Sequence, residues 1–314
     1  MTYRLMAISG FSHMYKELQA HGIEYKTLAI PKPWRKGPWN KARKQYIVKQ
    51  IKTYKPQWIF MLKDPYFTAL LPFIKSRFPK IKTVMWYGDQ RGNRIEPLIS
   101  ARSKFLDGLL ITNNDPAQLR MYKKHGIKHV QTFYHSFSPE EFQLWDREIT
   151  HDVFFGGSNF NIKKFPLSKL RRGFINAVHK QFKTVVHGGG WEFPTEKWIL
   201  RPTYARELRK ANINLGINHY HILRYYNRRL FECVGSGRLH VTYYIPGMEK
   251  HFKNHEHLVW FKKPKQGLDL LRYYLAHDKE REQIAENGRN FFIEKHSWKV
   301  RSLQFKKILL RMLK

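Results

Sequence analysis

The sequence predicts an α/β protein built from two doubly wound halves. Short apolar runs recur along the 314 residues with room for a helix between them, and most of them end in glycine or in loops carrying Asn or Asp. A hydrophobic content of 42% gives a chain of this length enough apolar surface for two cores.

The first half opens as βαβ. Tyr3 to Ser9 is an apolar-rich run, a helical stretch follows to His21, Gly22 closes it, and Tyr25 to Ile30 is the second strand. Trp58 to Leu62, Thr83 to Tyr87 and Leu109 to Thr112 are further strands. They run into Lys63-Asp64, Gly88-Asp89 and Asn113-Asn114-Asp115, the loops that a parallel sheet presents at its ligand-binding edge.

A loop from Ser136 to Thr150 separates this series from a second one, so the domain boundary falls between 149 and 150. The second series runs through Asp152 to Ser158, Thr184 to His187 with Gly188-Gly189-Gly190 behind it, Ile213 to Ile217, Arg238 to Thr242 and Leu258 to Phe261. The tail is helical, with Asp278 and Ser297 as N-caps and Val300, Leu303, Ile308, Leu309 and Met312 as the buried stripe of the last helix.

Charge is the outlier. The formal net charge is +34, with 26 basic and 11 acidic residues up to position 150 and 32 and 13 beyond it. A surfeit shared by both halves suits a surface that grips an extended polyanion better than it suits a detachable tail. One cysteine, Cys233, excludes a disulfide framework and a cysteine-rich metal site, and fits a reducing, cytoplasmic setting. No segment approaches the roughly 20 apolar residues of a membrane span, and the opening lacks a secretory apolar region.

Asn227-Arg228-Arg229-Leu230-Phe231-Glu232 followed by Gly235-Ser236-Gly237 resembles the Arg-x-Phe-Glu plus glycine signature of CgeB-type and related group 1 glycosyltransferases. Gly247, Glu249-x-x-Phe252, Tyr273 to Asp278, Ile284 to Arg289 and His296-Ser297-Trp298 extend it over about Asp152 to Arg301. Leu106-Asp107-Gly108, Tyr122, Gly126 and Phe137 to Phe142 match more loosely. The resemblance implies a GT-B fold, two Rossmann-like domains facing across a cleft with a C-terminal helix crossing back. Residues 1–149 would meet the acceptor, 150–296 would hold a nucleotide sugar, and 297–314 would be the returning helix.

The same resemblance makes Glu232 the ligand of the donor ribose and Arg229 the counter-charge of its diphosphate, approached by the backbone amides of Ser236 and Gly237. The bland alternative is an i, i+3 surface pair. Gly156-Gly157-Ser158 and Gly188-Gly189-Gly190-Trp191 either line the donor pocket or simply end their strands, and Trp191 either stacks on the nucleobase or packs. Tyr204 and Asn218 stand where such enzymes often place donor-facing residues.

On the acceptor side Asp89 is the candidate base, since a carboxylate after a strand can orient or deprotonate a hydroxyl, or else cap a helix; Asp64 and Asp115 are analogous. His13 either touches donor phosphate or acceptor, or is a solvated loop histidine. No Asp-x-Asp occurs, and His219-x-His221 is no metal motif by itself, so transfer without a metal or tightly bound cofactor is expected, with a nucleotide sugar, UDP-glucose by default, as co-substrate.

From Tyr25 to Lys63 there are eleven basic residues and no acidic one. Trp34 and Trp39 among Arg35, Lys36, Lys41, Arg43 and Lys44 form the pattern of a nucleic-acid contact, with cations for phosphates and indoles for bases; a solvated basic surface is the alternative. Two acceptors fit. One is a hydroxymethylated pyrimidine in DNA, reached by base flipping, as in viral DNA glycosyltransferases of GT-B fold. The other is a lipid-linked or cell-wall polymer at an anionic membrane surface, where the protein would associate peripherally.

Overall fold

The computed structural model describes residues 2–8, 11–30, 40–63, 69–88, 94–143, 148–160, 165–200 and 202–313. The chain divides into two compact units, Met1–Tyr134 with Trp298–Lys314, and His135–Ser297. The division thus falls at 134/135, ahead of the expected 149/150, because the segment from Phe137 to Phe142 packs with the second unit: Phe142 is 1% exposed and its carbonyl accepts a hydrogen bond from Arg289 at 2.7 Å.

The first unit is a six-stranded parallel sheet in the order β2-β1-β3-β4-β5-β6, formed by Tyr3–Ala7 (β1), Ile23–Thr27 (β2), Trp58–Leu62 (β3), Lys82–Tyr87 (β4), Gly108–Ile111 (β5) and His129–Thr132 (β6). Alternate residues of each strand face opposite helix layers. Ile59, Met61 and Met85 pack under helices Lys41–Tyr54 and Leu70–Arg77 through Ile47, Ile51, Leu71 and Ile74. Trp58, Phe60 and Val84 face helix Ser12–Ala20 and the last helix, Trp298–Arg311. Trp58 Nε1 donates to the Leu309 carbonyl at 3.1 Å, fixing that helix to the sheet.

Two sequence expectations change here. The buried stripe of the last helix is Trp298, Arg301, Ser302, Phe305, Ile308 and Leu309, whereas Leu303 is 40% exposed and Val300 is only half-buried. The stripe runs on the 3.6-residue period from Trp298, which places position 303 on the outer side. Asp278 is the first residue of helix Asp278–His296, one position inside its cap at His277.

The second unit is a five-stranded parallel sheet, β11-β10-β9-β7-β8, from His151–Gly156 (β7), Thr184–His187 (β8), Ala211–Gly216 (β9), Leu239–Tyr243 (β10) and Val259–Phe261 (β11). Val153, Phe155, Ile213, Leu215, Val241 and Phe261 form a core with helices Ser168–Gln181 and Pro264–Ala276. Among the described residues no helix is long and apolar enough to cross a membrane.

Candidate active site

In the second unit the chain leaves β7 for β8 on one side and reaches β9 on the other, so the strand order reverses between β7 and β9. Loops at the carboxyl ends of two such strands diverge and leave a crevice. Arg171 spans it. From helix Ser168–Gln181 its Nη1 donates to the carbonyl of Ile217, after β9, and its Nη2 to that of Ser158, after β7, at 3.0 Å.

This guanidinium is 1% exposed. Its Cζ lies 4.7 Å from the centroid of the Phe155 ring, and that of Arg229 lies 4.9 Å from the same centroid. Arg229 Nη1 also reaches the Ile217 carbonyl, at 3.4 Å. Among the described residues neither arginine has a carboxylate within ion-pair distance. Burial, and then the charge of Arg229, hold the Arg171 pKa well below its ordinary value, and burial lowers that of Arg229 as well. Burial and the same two cations push the neighbouring His219 down to about 3, so its ring is neutral at physiological pH.

Arg229 is the second residue of helix Arg228–Gly235, whose cap is built from the β9 loop. Asn218 donates through Nδ2 to the Tyr225 carbonyl at 3.2 Å and accepts at Oδ1 from Asn227 Nδ2 at 2.5 Å. Asn227 in turn caps the helix by accepting from the Leu230 amide at 3.2 Å. Asn218 therefore fixes the helix start beside Ile217, where unpaired amides and the positive end of the helix dipole gather.

Glu232 lies mid-helix with a side chain 1% exposed, and its Oε2 accepts from Arg228 Nε at 3.2 Å. The pair is thus i, i+4 with Arg228, not i, i+3 with Arg229. Ser236 and Gly237 sit at the opposite end from the one their expected role requires. Their amides donate to the carbonyls of Glu232 and Val234, at 2.9 and 3.1 Å, as the closing turn of the helix. Ser236 Oγ bonds the Cys233 carbonyl at 2.6 Å and accepts from Asn214 at 3.1 Å. A helix carboxyl end presents carbonyls and negative partial charge, which corrects the assignment of these amides to an anion.

The two glycine turns pack on each other. Gly188 has φ +131°, and a Cβ there would come within 2.8 Å of the Gly157 carbonyl carbon; Gly190, at φ +84°, would meet the Asn159 oxygen at 2.5 Å. A Cβ on Gly189 would meet nothing within 4 Å. Trp191 donates through Nε1 to the Gly157 carbonyl at 2.9 Å and stands edge-on to Phe155, so it braces the turn. Tyr204 is buried, edge-on to Phe154, where its ring fills the space a Gly156 side chain would need.

In the first unit His13 is half-buried in the first turn of helix Ser12–Ala20, not in the preceding loop. Asp115 caps helix Pro116–Lys124, accepting from the Ala117 amide at 2.9 Å. Asp89, Asp64, Trp34, Arg35, Lys36 and Trp39 lie outside the described residues. Lys41 and Lys44 are exposed on helix Lys41–Tyr54. Arg43 is 6% exposed on the inner face of that helix with Ile47 and Ile51, which corrects its reading as a surface contact.

Arg171 was not legible as a site residue. In the sequence it is one of several bases in a helix, and only the strand order brings Ser158 and Ile217 to either side of it.

Residues 171–307 match the model of a family described as glycosyl transferase-like. The fold is that of GT-B glycosyltransferases, two parallel-sheet α/β domains. Sucrose-phosphate synthase from Thermosynechococcus elongatus is 10% identical, with 99% of each chain covered and a TM-score of 0.69. HepE from Anabaena in complex with UDP-glucose is 10% identical, over 99% of this chain and 100% of that one, with a TM-score of 0.67. An alpha-glucosyltransferase in complex with UDP and a 13-mer DNA containing a HMU base has the same identity, coverage and TM-score. No curated protein sequence matches the chain.

Proposed function

We propose that the protein is a glycosyltransferase that takes a hexose from a UDP-sugar, UDP-glucose by default, and places it on the hydroxyl of a hydroxymethylated pyrimidine in DNA. The observation that carries the donor half is the pair of guanidinium groups, buried Arg171 and half-buried Arg229, at the reversal point of the second sheet without a carboxylate between them among the described residues. Buried charge without a partner is costly, and a diphosphate at the start of helix Arg228–Gly235 would supply the missing negative charge.

In this reading Arg229 and the helix amides face the diphosphate, and Arg171 keeps Ser158 and Ile217 in place behind it. Glu232 takes the ribose hydroxyls. Its present partner Arg228, with a side chain 42% exposed, is the group those hydroxyls displace. Gly157, Ser158, Gly189, Trp191 and Asn218 form the wall around the donor, Trp191 and Asn218 through the backbone they hold. Asp89 or His13 manages the acceptor. The acceptor oxygen bonds to the anomeric carbon and loses its proton to that base, while the bond from that carbon to the diphosphate breaks and its electrons leave with UDP, toward the cations. No step calls for a metal.

The DNA acceptor is supported by the +34 charge spread over both halves and by the fold neighbour bound to UDP and DNA. The membrane alternative has one observation in its favour, the exposed Trp198 and Leu200, 52% and 69%, beside Lys197. Incubation with a panel of nucleotide sugars and with hydroxymethylated DNA, plain DNA or a lipid-linked acceptor, followed by weighing of the digested nucleosides and of the lipid, separates them. A hexose increment on one modified nucleoside is expected. An unchanged nucleoside alongside a glycosylated lipid or polymer would transfer the proposal to the alternative.

A further inference from the structure

We infer that a groove on the first unit, between helices Lys41–Tyr54 and Leu70–Arg77, holds the phosphate backbone of DNA flanking the reactive base; the inference rests on the DNA reading above. The groove measures about 710 Å³. Lys44, Lys49, Lys52 and Arg77 line it, with Val48 and Phe73 as its apolar part, and no carboxylate is among the described lining residues.

The helix puts these lysines outward by its own period. Arg43, Ile47 and Ile51 form its inner stripe against the sheet, Lys49 and Lys52 lie on the opposite side, and Lys44 and Val48 lie along the stripe's flank, with Lys44 exposed. Lys44 to Lys52 spans about 12 Å at 1.5 Å per residue, and with Arg77 the groove offers four cations to a run of phosphates. The neighbouring helix gives a contrast. Its Lys75 is neutralised by Asp107 at 2.5 Å, whereas no carboxylate stands within ion-pair distance of the four groove cations among the described residues.

A linear polyanion fits this better than a lipid surface. A helix lying in a membrane interface inserts a broad apolar face, and here the apolar face of Lys41–Tyr54 is already spent on the sheet core through Ile47 and Ile51. Both helices start on the side where the preceding strands end, so the cationic row leads from that edge along the flank of the unit.

The test is binding of the full chain to an unmodified 20-bp duplex, without donor, over a salt series. K44Q/K49Q/K52Q/R77Q is compared with K123Q/K124Q/K279Q/K299Q, which removes the same charge from exposed positions elsewhere. The groove variant is expected to lose about 3 to 4 from the logarithmic salt slope, at about 0.9 per phosphate, and on the order of a hundredfold in affinity at 0.1 M salt. The matched variant should stay within a few-fold of the parent.

Equal losses in the two variants would reduce the groove to bulk charge and overturn the inference, as would a parent chain that does not bind duplex at all. So would a groove variant that keeps its DNA affinity and loses binding to vesicles of 30% phosphatidylserine in phosphatidylcholine. Transfer to hydroxymethylated DNA at low salt, measured in parallel, separates the two proposals. If it is absent from parent and variants alike, the catalytic reading fails while the salt slopes still decide the groove.

Discussion

Gly157 exists for Arg171. A Cβ on Gly157 would lie 2.4 Å from Arg171 Nη2 and 3.2 Å from the Phe155 ring, and the guanidinium has nowhere to go while it holds the carbonyls of Ser158 and Ile217. Gly157→Ala should therefore cost about 1–3 kcal/mol by overpacking, seen as a lower denaturant midpoint. Arg171→Met should remove a buried cation and weaken UDP binding at least about tenfold, roughly 1.4 kcal/mol, so that saturating UDP raises its melting temperature less than that of the parent. Unchanged UDP affinity in Arg171→Met, measured calorimetrically, would leave the residue a structural tie only.

Glu232→Ala should weaken nucleotide-sugar binding by about 1.5–3 kcal/mol, the loss typical of a hydrogen bond to a charged group, and leave duplex binding nearly unaltered. Arg228→Ala distinguishes the roles within the pair. It removes the 3.2 Å contact to Glu232, and in the proposed reading the ribose replaces that contact, so donor affinity should hold or rise. A matched fall in donor and DNA binding for Glu232→Ala would mean that the carboxylate only stabilises the helix.

In the second unit β7, β8 and β9 were legible because each is a short apolar run stopped by glycine, and after β8 the glycine has a mechanical reason: Gly188 and Gly190 adopt positive φ with neighbouring backbone pressed against them. β6, His129–Thr132, carries no strand pattern in the sequence because it is four residues long and mostly polar, an edge strand with one buried side chain, Val130. The Arg-x-x-Glu register located the helix that matters but not on which side of the glycines it lies. Ser236 and Gly237 look like a phosphate turn that opens a helix, and because the helix lies ahead of them, over Arg228–Gly235, they are its closing turn. Arg171 and Arg43 share a different lesson, since local composition reads any arginine as solvated and only packing reveals one as buried.

Acid should destabilise the second unit through histidines folded as neutral rings. His240 is 2% exposed, and burial holds its pKa down at about 4 against an ordinary 6.5, even though the Asn214 carbonyl it bonds at 2.8 Å favours protonation. Above about pH 6.5 the ring is neutral in both folded and unfolded chains and the full stability is present. As pH falls from 6.5 toward 4 the unfolded chain gains a proton that the folded one refuses, which removes up to about 1.4 kcal/mol per pH unit. His151, at about 4, and His219, at about 3, act in the same direction, both chiefly through burial. Denaturant titrations at pH 7.5, 6 and 5 should show a shallower decline for His240→Asn than for the parent. Parallel declines would remove His240 from the account.

Phe305→Ala tests how firmly the last helix belongs to the first unit. Its ring is 0% exposed and lies 5.0 Å from the centroid of Phe60 and 5.4 Å from that of Phe133, so truncation opens a cavity between β3, the segment after β6 and the helix. The expected cost is about 3–5 kcal/mol. Leu303→Ala, on the same helix but 40% exposed, should change stability by no more than about 0.5 kcal/mol. The pair also separates burial from helix propensity, because alanine favours the helix at both positions and only the buried site should suffer. A larger loss at 303 than at 305 would mean that the helix packs with its other side inward, and the Trp58 to Leu309 hydrogen bond at 3.1 Å could not then form.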